Sequence, residues 1–475
     1  MGLLEQLTAY IAEDIYPLHM PGHKRHPGAA PFSDSYAIDI TEIDGFDNLH
    51  DAAGVLADNM ARAARLWGSR RAFYLVNGST GGLLAGITAC TRRGDRVLVA
   101  RNCHRAVYNA LALNGLRPVY LLPDMDTSFE IAGSVSPDRV ERALTAHPDI
   151  RLVVVTSPTY EGVLSDIPAI AAAAHRHGAR LLVDEAHGAH LGLAEGFPAG
   201  SVTGGADIVV QSLHKTLPAL TQTGLLHVMG DRVDGDEVAR QLAVFETSSP
   251  SYPLMASISA CVSRLETERA CLFAAYWERL ERFDKRIRGL RRLRVLCHGA
   301  DTSTSHTFYG FDPGKLVISC RGTGLTGIQL AARLRTNDRL ETEMAMADYV
   351  LAMTSICDSD EGFDRLADAL CAIDAELSAV PAPEPLVPLV LPPLRCFLDD
   401  ALAAPGRLVP PADAIGGISR EYVWAYPPGI PLLVPGEEIT PEWLSLFSRL
   451  TAAGITLKST CGRLPEQLEI LCGEY

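Results

Sequence analysis

From residue 60 onward, short β-rich apolar runs alternate with amphipathic or alanine-rich stretches of helical length. The runs predict strands at residues 72–76, 96–100, 118–122, 151–156, 179–184, 207–211 and 224–229. Between them, residues 81–91, 137–146 and 167–177 read as helices. Parallel strands need crossovers of that length, because the chain must travel back along the sheet before it pairs again. The pattern therefore predicts an α/β fold built on a seven-stranded, mainly parallel sheet covered by helices. Ligands of such sheets gather at the carboxyl ends of the strands, so the residues just past each run are the ones to read for chemistry.

The pattern changes further on. A charged helix is expected over residues 265–292, followed by mixed strands and helices over 312–379, which suggests a smaller α+β domain. Prolines at 381, 383, 385, 388, 392 and 393 mark residues 380–394 as a linker, and a C-terminal unit follows. The predicted partition is an N-terminal segment 1–60, a large domain 61–285, a small domain 286–380 and a C-terminal domain 381–475.

Composition narrows the classes. A chain of 475 residues with 47% apolar content buries a large core. A formal charge of −15 and a pI near 5.4 disfavour nucleic acid as a partner and suit a cationic small molecule. The N-terminus carries acids where a signal peptide needs bases, and no apolar run approaches the roughly 20 residues that span a bilayer, so a cytoplasmic location without membrane contact is expected. Eleven cysteines lack the paired spacing of a zinc site and read as reduced thiols, with no metal expected.

The sharpest local signal is Gln211-Ser212-Leu213-His214-Lys215, where an apolar strand gives way to polar residues and a lysine. Burial lowers a lysine's pKa, and the neutral amine is the form that attacks an aldehyde. The competing reading is an exposed lysine at a strand end. About thirty residues earlier, Asp184 follows another apolar run, in Val183-Asp184-Glu185-Ala186-His187. A buried carboxylate keeps a proton on the ring nitrogen of pyridoxal phosphate, which makes that ring an electron sink. Ala186 is small enough to lie against the ring, and His187 can reach its phenolic oxygen. The alternative for Asp184 is a helix cap.

Val76-Asn77-Gly78-Ser79-Thr80-Gly81-Gly82 joins a strand to a helix and offers backbone N–H groups, the Ser79 and Thr80 hydroxyls and a helix dipole to a phosphate. It lacks the Gly-Lys-Ser/Thr ending of a nucleotide P-loop. Ser212 and His214 complete the phosphate cup. In Arg101-Asn102-Cys103-His104-Arg105, the His104 imidazole can stack on the cofactor ring, or serve only as a hydrogen-bonded structural residue.

Together these segments resemble the Orn/Lys/Arg decarboxylase family, the aspartate-aminotransferase-like fold type I enzymes that use pyridoxal phosphate. The likeness begins at Pro17-Leu18-His19-Met20-Pro21-Gly22-His23-Lys24. It continues through the Asp39 to His50 stretch, the segments above and Thr247-Ser248-Ser249-Pro250-Ser251-Tyr252-Pro253. It ends with Tyr426-Pro427-Pro428-Gly429-Ile430-Pro431 and Pro435-Gly436-Glu437. The resemblance implies decarboxylation of lysine, arginine or ornithine, as in polyamine biosynthesis. Lys215 corresponds to the Schiff-base lysine, Asp184 to the pyridinium partner and His104 to the stacking imidazole, with Ser79, Thr80, Ser212 and His214 as phosphate ligands.

It also implies a homodimer or higher homo-oligomer with shared sites, to which His19, His23 or the Tyr252 segment contributes. The chain resembles the short form, without the wing domain that builds large rings. Asp44, Asp47, Glu161 and Glu246 are candidate partners for the substrate's distal cation. Two rival readings remain: another fold type I reaction (transamination, aldol cleavage or lyase chemistry), and a catalytically silent regulatory relative.

Overall fold

The structure, a computed structural model, describes residues 15–18, 47–296, 307–381, 391–425 and 429–473. Its centre is a seven-stranded sheet of β1 (Arg71–Leu75), β2 (Arg96–Ala100), β3 (Arg117–Leu121), β4 (Ile150–Thr156), β5 (Arg180–Asp184), β6 (Ile208–Ser212) and β7 (Gly224–Val228). The spatial order is β1-β7-β6-β5-β4-β2-β3. All neighbours pair in parallel except β7, which runs antiparallel to both β6 and β1. Every predicted strand is present with its ends within one residue. Helices cover both faces, so the strand interiors are apolar at nearly every position; Leu152 to Val155 are buried without a break.

Two helices begin earlier than expected. The helix Gly78–Cys90 takes in the whole glycine-rich turn. Glycine is required there by close approach: a Cβ on Gly82 would lie 2.6 Å from Leu75 Cδ1 and 2.9 Å from Val210 Cγ1. The helix expected from residue 265 runs from Tyr252 to Ile287. Pro253 sits in its first turn, where a missing N–H costs nothing, so the proline starts the helix instead of breaking it.

The smaller region is an antiparallel sheet of Arg294–Leu296, Lys315–Ser319, Tyr349–Met353 and Met344–Ala345. Leu316, Ile318, Val350 and Ala352 join the main core. Val317, Leu351 and Met353 face the other way and pack on Ile131 and Val163, which come from loops of the large sheet. Val163–Leu164 also pairs with Gly310–Phe311, which fastens the small sheet beside the carboxyl ends of β4 and β5.

The C-terminal region has its own core of Val409, Val423, Leu433, Trp443, Phe447 and Ile470. Residues 382–390 of the expected linker lie outside the described residues. Among the described residues, no helix is long and apolar enough to cross a membrane.

Candidate active site

Two strand ends bring the central pair together. Asp184 ends β5, Ser212 ends β6, and the parallel register sets Val210 against Asp184. One helical turn, Leu213–Thr216, then carries His214 and Lys215 off the sheet. Lys215 Nζ lies 2.9 Å from His187 Nε2. Desolvation lowers the Lys215 pKa, against the opposing pull of the Asp184 and Glu343 charges.

Asp184 is buried, and its Oδ1 accepts from the Ala186 N–H at 3.1 Å. Desolvation raises its pKa, while Lys215 and the Ala186 N–H draw it back down. Turns rather than a helix follow it, so it caps nothing. The neighbouring Glu185 faces away: it accepts from the Ser201 N–H at 2.6 Å and from Gln211 Nε2 at 2.7 Å. Of two adjacent acids, alternation along the strand leaves Asp184 to the site.

His104 caps the helix Arg105–Leu113, its Nδ1 accepting from the Ala106 N–H at 3.2 Å. In the neutral ring that contact assigns the proton to Nε2. The ring is open along the cleft while protein fills the space around it. Desolvation, then the charges of Lys215 and Arg105, push its pKa down to about 4. Gly429 comes from the C-terminal region to the same place, and a Cβ there would lie 3.9 Å from His104 Nε2.

On the phosphate side, Asn77 precedes the helix Gly78–Cys90 without capping it; its amide donates to the Phe245 carbonyl at 3.1 Å instead. Ser79 and Thr80 lie at this open end. The Gly78 N–H donates to the Gln222 carbonyl, two residues before Gly224, which pairs with Ser212. Ser212 Oγ is buried with no hydrogen-bond partner among the described residues. His214 Nδ1 is 2.9 Å from the Thr223 carbonyl. A lone buried hydroxyl beside an uncapped helix N-terminus is costly unless something fills the place, and an anion satisfies both. These residues fit pyridoxal phosphate: an amine of lowered pKa, a buried carboxyl, an imidazole wall and a phosphate cup.

The structure adds residues that the sequence reading passed over. Lys315, at the start of a small-sheet strand and 1% exposed, places Nζ 3.1 Å from His187 Nδ1. The Tyr160 ring lies 4.4 Å from that of His187, and its hydroxyl bonds Glu343, whose charge reaches Lys215. The available signal was an Asp-Pro-Gly turn, Asp312 to Gly314, leading into an apolar run.

Among the candidate acids for the distal cation, Asp47 accepts from the backbone N–H groups of Ala53, Gly54, Leu56 and Ala57. Glu246 accepts from those of Val76 and Asn77. Glu161 accepts from the Tyr349 hydroxyl at 3.0 Å. Asp44, His19, His23 and Tyr426 lie outside the described residues.

Comparison with known proteins gives the family and the fold. The family model described as Orn/Lys/Arg decarboxylase, major domain, matches residues 2–327. A Bacillus subtilis protein named arginine decarboxylase is 32% identical over 449 residues, covering 93% of this chain and 91% of its own. The uncharacterized protein YaaO of the same organism is 35% identical over 476 residues, covering 94% of both. The crystal structure of the Francisella novicida lysine decarboxylase LdcF superposes with a TM-score of 0.77 at 18% identity, covering 99% of this chain and 84% of that one, a likeness of fold.

Proposed function

The chain belongs to the Orn/Lys/Arg decarboxylase family, and from that premise we propose that it releases carbon dioxide from arginine, lysine or ornithine, with arginine the first candidate. The enzyme class is a pyridoxal-phosphate-dependent decarboxylase of fold type I. Arginine is placed first because a relative matched over nine-tenths of both chains carries that name.

One observation carries the site assignment: a lysine whose pKa is lowered by burial stands one strand away from a buried carboxyl, beside a phosphate cup. Bound pyridoxal phosphate supplies a ring that accepts the electron pair left when the carboxylate departs. The chain's own residues do the rest. Lys215 Nζ, as the neutral amine, would be the group that holds the cofactor covalently. Asp184 would hold a proton on the ring nitrogen. His104 would wall one ring face and Ala186 would leave room at the other, while Ser79, Thr80, Ser212, His214 and the helix N-terminus would hold the phosphate.

Glu343, which accepts from the Tyr160 hydroxyl and whose charge reaches Lys215, supports a cationic substrate, because a guanidinium or ammonium gains a charge-assisted hydrogen bond from an acid that a neutral side chain does not. The same reading takes the protein as a cytoplasmic homodimer or higher homo-oligomer, divided into an N-terminal segment 1–60 and the domains 61–285, 286–380 and 381–475. The separate core of the C-terminal region supports the last of these.

The test measures carbon dioxide release and the amine product from each of the three amino acids, alongside the mass of the active species. Transamination without carbon dioxide release, or no turnover of any of the three by cofactor-loaded protein, would sink the proposal.

A further inference from the structure

His187 stands between two lysines. Lys215 Nζ is 2.9 Å from its Nε2 and Lys315 Nζ is 3.1 Å from its Nδ1. A neutral imidazole has one N–H and one lone pair. For both contacts to be hydrogen bonds, the lysine that meets the N–H must be a neutral amine. Burial, followed by the charges of Lys215, Lys315, His104 and His214, holds the His187 pKa well below its ordinary value, so the ring is neutral.

The surroundings say which lysine keeps its charge. Lys215 attaches a carbonyl compound only as the neutral amine. Lys315 lies near two buried acids: desolvation raises the Glu161 pKa, with the Lys315 charge among the influences that draw it back, and at Asp312 desolvation is outweighed by His190 and then by the Lys315 charge, so that its pKa is lowered. Asp312 is itself fixed, accepting from the Gly314 N–H at 2.9 Å and standing 3.1 Å from His190 Nε2. The stem of Lys315 reaches the ring through a gap that only glycine leaves. Gly162 has φ +106°, and a Cβ there would lie 2.6 Å from Lys315 Cγ and 2.7 Å from its Cβ.

We propose that Lys315 is a positioning residue that donates to His187 Nδ1, fixes the Nε2–H tautomer and so presents Lys215 with an N–H that favours the neutral amine. The inference rests on the reading of Lys215 as the cofactor-attaching amine. The same N–H is the donor available to the cofactor's phenolic oxygen, the role expected of His187.

The experiment uses the full chain after removal of its cofactor. Trinitrobenzenesulfonate labels amines, and peptide mapping gives the pH midpoint for labelling of Lys215, which also faces Asp184 and Glu343. In Lys315→Met the midpoint should rise by about one pH unit, leaving about tenfold less reactive amine at a fixed pH below it. In a His187→Phe background the same Lys315→Met change should add no further rise, since the coupling runs through the imidazole. An unchanged midpoint overturns the proposal. So does an equal rise in both backgrounds, which is what direct charge repulsion gives.

Histidine nitrogen chemical shifts of the unsubstituted chain cover the case in which a variant fails to fold. His187, assigned by its loss in His187→Phe or by a labelled peptide ligation, should show Nε2–H, and an Nδ1–H tautomer overturns the proposal. Failure of the cofactor reading is distinguished separately, as borohydride trapping of pyridoxal phosphate on a lysine other than Lys215.

Discussion

Arg101, just past β2, and Glu437 meet across 336 positions as a two-pronged ion pair, Nε to Oε1 at 3.2 Å and Nη2 to Oε2 at 3.0 Å, with 5% and 0% of the two side chains exposed. Arg101 also donates to the Pro431 carbonyl, and Glu437 accepts from the Val434 N–H at 2.9 Å. The pair fastens the C-terminal loop three residues from His104, so the wall of the cleft depends on a residue far away in sequence.

Removing one partner leaves the other charged and desolvated. Glu437→Leu should therefore cost about 3–5 kcal/mol, whereas the double change Arg101→Met with Glu437→Leu should recover most of that loss. Urea unfolding of the three proteins measures it. A cost below about 1 kcal/mol for the single change would show that the pair does not hold the loop.

Borohydride reduction of the loaded enzyme should fix pyridoxal phosphate on Lys215, located by peptide mapping, and Lys215→Ala should lose both the fixed cofactor and turnover. An adduct on any other lysine overturns the assignment.

Asp184→Ala should keep the cofactor, since the phosphate cup is untouched, and should lower kcat by on the order of 10²–10³-fold, the usual loss when one preorganised electrostatic partner is removed. Cofactor content and turnover are read on the same preparation. Near-normal kcat in a loaded variant would remove Asp184 from its role.

Glu343→Gln keeps the shape of the acid and removes its charge. The expected result is a higher KM for arginine, lysine and ornithine, with little change for a neutral analogue such as norleucine, whose rate starts low. Equal KM changes for cationic and neutral substrates would place Glu343 outside recognition.

Glu246 tests the pH dependence of stability. Desolvation raises its pKa to about 7, opposed by the N–H groups of Val76 and Asn77, and both of those bond Oε1. In the unfolded chain the acid ionises near its ordinary value, so between about pH 4 and about pH 7 the folded state binds more protons and stability falls as pH rises. Glu246→Gln retains an accepting oxygen and removes the titration. The variant should gain on the order of 1 kcal/mol over the parent above pH 7, and the gain should vanish near pH 4. Thermal or urea unfolding across that range decides it, and a gain that does not vary with pH would refute the linkage.

The sequence by itself determined the sheet and the middle of the site. Strands buried on both faces must be apolar throughout, so the inner strands stood out, and the edge strand Arg117–Leu121, only half-buried, was still legible from its apolar run. Lys215 and Asp184 were legible because each directly follows such a run, and strand ends in a parallel sheet share an edge. The Ser79–Thr80 turn was legible through its glycines, although the helix that absorbs it was not, since glycine reads as a breaker until Gly82 is seen pressed against Leu75 and Val210.

Only the tertiary structure decided the residues that act from a distance. Lys315, Glu343 and Glu437 are charged, and charged residues read as surface unless a partner is known. Lys315 and Glu437 are buried, and Glu343 is partly so, because the small sheet folds onto the Val163–Leu164 strand and the C-terminal loop closes over Arg101. Those contacts join positions more than a hundred residues apart, and no local pattern of polarity records which charge will be enclosed or what will neutralise it.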